Sequence, residues 1–361
     1  MKFCNFFILF IGIVQFFVSM LAAAPDPNFH CYLLFGQSNM AGGGNTSGLI
    51  DGDCDTTPRV KVLAFCDCTE GSGQNCRTYS SKREHDKWYT AFPPLHMCSE
   101  GISPGDWFAK TMLDSIHEDI TIGLIPCALS GQSIKVFVKG GGNFNIPTWA
   151  HPTIGNNSPY DWMLARCKTA QESGVIKGIL FHQGESDPGA DYWISTTKGI
   201  FDNLKTDLGL NDSLPVVVGE LIPSYTNHNP LVRQLADQYP KCGLASSEGL
   251  TAKDQYHFNP DGMRAMGKRY AEAFLALADN DYVPRKGTTS AAGGHAKRIR
   301  SYYRQNIRSW NGDEKVYSLD GKVLPKCGNS EHLNARYHLR SGNVYLVVRG
   351  NGAEMRMVVV P

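Results

Sequence analysis

The sequence predicts an α/β fold built on a parallel sheet that helices cover on both faces. Three observations point there. Short, unbroken apolar runs recur along the chain, helical patterns fall between them, and polar glycine-bearing blocks begin where the runs stop. Strands buried on both faces read as continuous apolar runs, and strands alternating with helices make parallel βαβ units.

The elements follow in order. Lys2, the apolar run Phe6 to Leu21 and Ala22-Ala23-Ala24 have the layout of a cleavable signal peptide over residues 1–24. Cys31 to Phe35 is the first buried strand, and Ile120 to Ile125, Val175 to Phe181 and Leu214 to Gly219 are three more. Helical patterns lie at Asp106 to Ile116, Tyr160 to Glu172, Pro230 to Tyr239 and Pro260 to Ala278. The last opens on Asn259-Pro260, an N-cap followed by Pro at the first helical position. Gly42 to Gly105 and Gly140 to Ser158 read as long loops on the sheet's C-terminal edge, and long loops in a compact domain are usually functional.

Composition shifts at Val283. Residues 283–300 read as a linker, by the small turn-forming residues of Pro284 to Gly294. Residues 301–361 read as a small β-rich domain, with one hairpin at Val316 to Leu324 turning at Asp320-Gly321. A second joins Val344 to Val348 with Met355 to Val360 through Asn351-Gly352. Residues 25–282 are left as the main domain.

Composition bounds the function. With 35 basic and 34 acidic residues the formal charge is +1 over 361 residues, which excludes a polyanion-wrapping protein. No run after the first would span a bilayer. Cys4 leaves with the signal, and the remaining ten of 11 cysteines suit an oxidising compartment, with most expected in disulfides inside the Cys54 to Cys98 region. Cys66, Cys68, Cys76, His85, His96 and Cys98 fit no standard zinc spacing, so no metal or other cofactor is expected. Lys297, Arg298, Arg300, Arg304 and Arg308 read as a solvated face, not a nucleic-acid patch.

Four blocks carry chemistry. Gly36-Gln37-Ser38-Asn39-Met40-Ala41-Gly42 follows the first strand, where open α/β sheets bind ligands, so Ser38 is a candidate nucleophile. Backbone N–H groups after that turn can hold an oxyanion. Asp254-Gln-Tyr-His257 precedes the last helix and offers a base with an acid three residues away. His182-Gln183-Gly184-Glu185-Ser186-Asp187 ends the third strand. There Gln183 could donate to an oxyanion and Glu185 could be a second acid for His257. In Leu129-Ser130-Gly131-Gln132, Gly131 offers an unobstructed N–H.

Together the blocks resemble the SGNH/GDSL hydrolase superfamily, and within it carbohydrate esterase family 6 and the sialate O-acetylesterase domains, over roughly Asn28 to Asp279. The resemblance implies a three-layer α/β/α fold with a short parallel sheet and no metal. It implies Ser38 as nucleophile and His257 as base. The oxyanion donors would be the Ser38 N–H, the Gly131 N–H and the Gln183 side chain. Gln-Gly-Glu stands where many members carry Gly-x-Asn-Asp, which leaves the acid open between Asp254 and Glu185. Gln37, Asn39 and Gln132, beside the nucleophile and the oxyanion glycine, are assigned to substrate binding.

The expected function is a secreted or cell-surface serine esterase that removes acetyl groups from plant polysaccharide or oligosaccharide, acetylated xylan first. A sialate O-acetylesterase is the alternative within the same chemistry. The rival from another class is a catalytically dead carbohydrate-binding protein on the same fold. The tail from Val316 resembles the C-terminal sorting domains of bacterial secreted enzymes, which implies a contact with secretion machinery; a carbohydrate-binding module is its rival.

Overall fold

The computed structural model describes residues 24–43, 47–68, 82–141, 154 and 158–278, and the strands at 314–318, 344–349 and 354–359. The expected signal peptide and linker, and parts of both long loops, lie outside the described residues. The chain divides into two compact units, Met1–Lys286 and Gly287–Pro361.

The first unit holds a seven-stranded sheet of β1 (Phe29–Gly36), β2 (Val60–Leu63), β3 (Trp88–Thr90), β4 (Thr121–Ala128), β5 (Val175–His182), β6 (Val216–Gly219) and β7 (Cys242–Ala245). The strand order is β3-β2-β4-β1-β5-β6-β7. Every pairing is parallel except β2 with β3, which closes one edge antiparallel.

Both faces are covered, as continuous apolar strands require. On β1 the side chains alternate between two cores. Cys31, Leu33 and Phe35 face a layer with the helices Pro159–Ser173, Trp193–Asp207 and Asn229–Gln238. Tyr32 and Leu34 face the opposite layer, with Pro104–Leu113 and Pro260–Leu277. This is the three-layer α/β/α arrangement. The expected helices form within a few residues of their expected bounds, and Asn259 caps the last by accepting from the Gly262 N–H at 2.8 Å.

Three expectations need correction. The Gly42–Gly105 segment is not all loop: it contains β2, β3 and the short helix Asp51–Cys54. The helix Trp193–Asp207 carries the apolar stripe Trp193, Ile200, Phe201 and Leu204, interrupted by Ser, Thr and Gly that weaken the pattern. Among the described residues the cysteines are not mostly paired, and those that are lie in the expected Cys54 to Cys98 region. Cys68–Cys98 is a disulfide and Cys54 is also bonded, but Cys31, Cys66, Cys127, Cys167 and Cys242 are free thiols. Burial pushes the Cys31 and Cys127 thiols up to about 12, as befits small apolar core residues.

The second unit contains β8 (Glu314–Ser318), β9 (Val344–Arg349) and β10 (Glu354–Val359) as an antiparallel sheet in the order β10-β9-β8. β9 and β10 form the expected second hairpin. β8 pairs with β9, and Lys322 to Leu324, the return strand of the expected first hairpin, lie outside the described residues.

Candidate active site

β1 lies between β4 and β5, and the chain crosses from one side of it to the other between those two strands. The carboxyl ends of β1, β4 and β5 therefore border the crevice where open α/β sheets bind ligands. Three of the four sequence blocks are the turns that leave these three strands. The fourth reaches the same crevice from the start of the helix Pro260–Leu277.

Gly36 ends β1 at φ 137°, and a Cβ there would sit 2.0 Å from the His182 carbonyl oxygen. Only glycine lets β1 and β5 run this close at the turn. Ser38 then opens a four-residue helix, Ser38–Ala41. Its Oγ lies 3.0 Å from His257 Nε2. His257 Nδ1 lies 2.9 Å and 3.0 Å from the two Asp254 carboxylate oxygens. A carboxylate only accepts, so Nδ1 carries the proton and Nε2 presents its lone pair to the serine hydroxyl. Asp254 Oδ1 also accepts the Tyr256 and His257 N–H groups, each at 2.8 Å. Burial opposes the Asp254 charge, but the His257 bond and these N–H bonds outweigh it and hold the carboxyl down to about 2.

Of the two acids left open by the sequence, Asp254 is the one that His257 bonds. Glu185 makes no hydrogen bond or ion pair with His257 among the described residues. Its side chain is only 4% exposed and bonds Asn39 at 2.5 Å. Burial pushes its carboxyl up to about 7.

The three expected oxyanion donors are placed differently. Gly131 is exposed at φ 73° with open space in front of its Cα. Among the described residues neither its N–H nor that of Ser38 has a backbone acceptor. Gln183 is different. Its Nε2 faces Asp187 Oδ2 at 2.5 Å, Gln37 Oε1 at 3.1 Å and the Gln132 carbonyl at 3.2 Å, while Oε1 accepts from Trp193 Nε1 at 2.5 Å. Two amide hydrogens facing three acceptors leave none for an oxyanion. Gln183 is held here as a buried tie between the turns.

Two substrate-binding assignments change for the same reason. Gln37 Oε1 accepts from Gln183 and from the Gly184 and Ser186 N–H groups. The Asn39 amide is spent on Glu185, the Tyr256 carbonyl and the Phe258 N–H. Both residues are buried. Gln132 is half-buried, with Nε2 3.5 Å from the Ser130 carbonyl, and stays at the crevice.

Asp187 carries a role that the sequence did not reveal. Its carboxylate accepts from Ser133 Oγ at 2.5 Å, the Ile134 N–H at 2.8 Å, Tyr192 Oη at 2.9 Å and Gln183. It pins the turn after β4, and with it Gly131, to the turn after β5. The only signal was an acid inside a polar block at a strand end.

Fold and site together define a hydrolase with a Ser-His-Asp relay at the switch point of an α/β sheet. The profile of the carbohydrate esterases described as sialic acid-specific acetylesterases matches residues 28–276, and the chain belongs to that family. It is a carboxylic ester hydrolase of the carbohydrate acetylesterase kind. An Arabidopsis thaliana protein described as a probable carbohydrate esterase is 28% identical over 267 residues, covering 70% of this chain and 93% of the relative. A solved Arabidopsis thaliana structure shares the fold at TM-score 0.53 and 23% identity, covering 69% of this chain and 98% of its own. A carbohydrate acetylesterase from Xanthomonas citri aligns at TM-score 0.49 and 16% identity, over 91% of this chain and 72% of its own. Among the described residues no helix is long and apolar enough to cross a membrane.

Proposed function

We propose that this protein removes O-acetyl groups from an acetylated polysaccharide or oligosaccharide, acetylated xylan first, by a Ser38-His257-Asp254 acyl-enzyme mechanism. The observation that carries this reading is the relay itself, with 3.0 Å from Ser38 Oγ to His257 Nε2 and 2.9 Å from His257 Nδ1 to Asp254. Ser38 Oγ attacks the acetyl carbonyl while His257 Nε2 takes its proton, and Asp254 stabilises the imidazolium. The Ser38 and Gly131 N–H groups receive the oxyanion. The tetrahedral intermediate collapses with the sugar oxygen leaving, protonated by His257. Water, deprotonated by His257, then attacks the acetyl-serine, releasing acetate and returning the proton to Ser38.

The family description favours a second substrate, an acetylated sialic acid. The charge around the relay favours a neutral sugar. Asp254 is the carboxylate behind His257, Glu185 and Asp187 are buried, and among the described residues the one lysine in the same loop, Lys253, is bonded to the Gly43 carbonyl. A sialate carboxylate would call for a free cation. Acetate release from acetylated xylan against acetylated sialic acid decides between them. The proposed setting is outside the cell or at its surface, reached through the segment 1–24, with the tail contacting secretion machinery or carbohydrate. Ser38→Ala is expected to abolish hydrolysis of both substrates and of a small acetyl ester while the fold persists. Retained turnover would end the serine mechanism.

A further inference from the structure

Asn39 is fully buried, so it cannot touch a substrate, yet it directly follows the nucleophile. Nδ2 donates to the Tyr256 carbonyl at 3.0 Å and to Glu185 Oε1 at 2.5 Å, and Oδ1 accepts from the Phe258 N–H at 3.1 Å. The two backbone partners flank His257. Flipping the amide would set N–H against N–H at Phe258 and oxygen against oxygen at Tyr256 and Glu185, so only one orientation is allowed.

Glu185 is itself backed. Tyr270 Oη donates to the Phe181 carbonyl at 2.7 Å, so it accepts from His182 Nδ1 at 3.1 Å. That tautomer leaves His182 Nε2 as a bare acceptor, 3.8 Å from Glu185 Oε1. Among the described residues neither His182 Nε2 nor Glu185 Oε2 has a hydrogen-bond partner, although both are buried. A protonated Glu185 has an O–H to give, and His182 Nε2 is the unpaired acceptor facing the carboxyl, at 3.8 Å from Oε1 and so needing a small shift to bond. The carboxyl's rise to about 7 means that this form is present near neutrality.

We propose that Asn39 is a positioning residue for the catalytic histidine, its amide bracing the backbone on both sides of His257, and that Glu185, backed by His182, holds that amide in place. The nucleophile and the brace of its base are then adjacent residues of one helical turn, so Ser38 and His257 are placed relative to each other by a single backbone segment. Glu185 contributes as a neutral hydrogen-bonding partner and not as the acid of the relay. The inference rests on the serine-esterase reading above.

The test compares Asn39→Ala, Glu185→Gln, Glu185→Leu and Ser38→Ala on a nitrophenyl acetate, each at a temperature where circular dichroism shows it folded. Misplacing a reacting group by a fraction of an ångström to an ångström costs about 10- to 100-fold, so Asn39→Ala should lose that much in kcat with KM little changed. In Glu185→Gln the new amide can still accept from Asn39 and donate to His182, so this variant should keep kcat within about fivefold, whereas Glu185→Leu should fall with Asn39→Ala. The double variant Asn39→Ala/Glu185→Leu should be no worse than the worse single, because the two act in series. A folded Asn39→Ala with kcat within about threefold of wild type overturns the proposal. So does a Glu185→Gln that loses as much as Glu185→Leu. If Asn39→Ala does not fold, the two Glu185 variants decide alone. Activity retained by Ser38→Ala would instead strike the underlying serine mechanism, a separate failure.

Discussion

Gln183 separates a scaffold role from a catalytic one most sharply. Replacing it by Met keeps the volume and removes every polar atom of the amide. The indole N–H of Trp193, a fully buried residue, loses its only hydrogen-bond acceptor among the described residues. Asp187 loses a short bond but keeps those from Ser133, Ile134 and Tyr192. An orphaned buried donor costs about 1–3 kcal/mol and a bond to a charged group contributes about 1.5–3 kcal/mol, so the expected loss is roughly 3–6 kcal/mol. At about 2–4 °C per kcal/mol for a domain of this size, the melting temperature should fall by roughly 6–24 °C. An oxyanion donor behaves otherwise: its removal costs about 100- to 1,000-fold in kcat and need not touch stability. The assay is a calorimetric melt with kcat per folded molecule on a small acetyl ester. The scaffold role predicts a large drop in melting temperature and a kcat loss below about tenfold. An unchanged melting temperature with kcat down by two orders or more would refute the reasoning and restore Gln183 to the oxyanion hole.

Asp254→Asn should lose roughly three to four orders of magnitude in kcat, because Asn cannot hold His257 in the working tautomer; steady-state kinetics against Glu185→Gln should show Asp254 as much the more sensitive site. The Asp254 carboxyl is depressed to about 2 in the fold and titrates near 3.9 when unfolded, so its contribution to stability is present above about pH 4 and lost as pH falls toward 2. Urea unfolding at pH 6 and pH 3 should therefore show the gap between wild type and Asp254→Asn shrinking at the lower pH; a constant gap would contradict the assignment. Tyr256 is a large exposed aromatic, 46% accessible, with its ring centroid 6.2 Å from that of His257. Tyr256→Ala should raise KM for an acetylated oligosaccharide several-fold while leaving hydrolysis of a nitrophenyl acetate nearly unaltered, and equal effects on both would remove it from sugar contact.

The sheet's centre was legible because β1, β4, β5 and β6 are covered on both faces and so carry unbroken apolar runs. The edge was not. β2 offers Val-Lys-Val-Leu, β3 Trp-Tyr-Thr and β7 Cys-Gly-Leu-Ala, three or four residues each, too short for a period to be seen. At the site, Ser38, His257 and Asp254 stood out because each lies in a polar block directly after a strand or before a helix. What could not be read was which polar side chains face the crevice and which face each other. Gln183 and Gln132 look alike in sequence; only the packing of Trp193 and Asp187 against one of them turns it inward.

That distinction bears on whether the protein is an esterase or an inactive binder on the same fold. Much of the motif is internal architecture: Gln37, Asn39, Gln183 and Asp187 are buried and bonded to one another or to the backbone. Gly184 belongs with them, since a Cβ there would lie 2.1 Å from His228 Nε2. A binding protein keeping this fold would need Gln37, Gln183, Gly184 and Asp187 as much as an enzyme would, so the presence of these four says nothing about turnover. The discriminating residues are those the scaffold does not use. The Ser38 hydroxyl and the His257 Nε2 have only each other among the described residues, and the Gly131 N–H has no backbone acceptor among them. Nothing in the packing requires a buried serine and a half-buried histidine to face each other at 3.0 Å with an aspartate behind. Acyl transfer does require it, and the retained relay therefore argues for an enzyme more strongly than the whole of the buried motif.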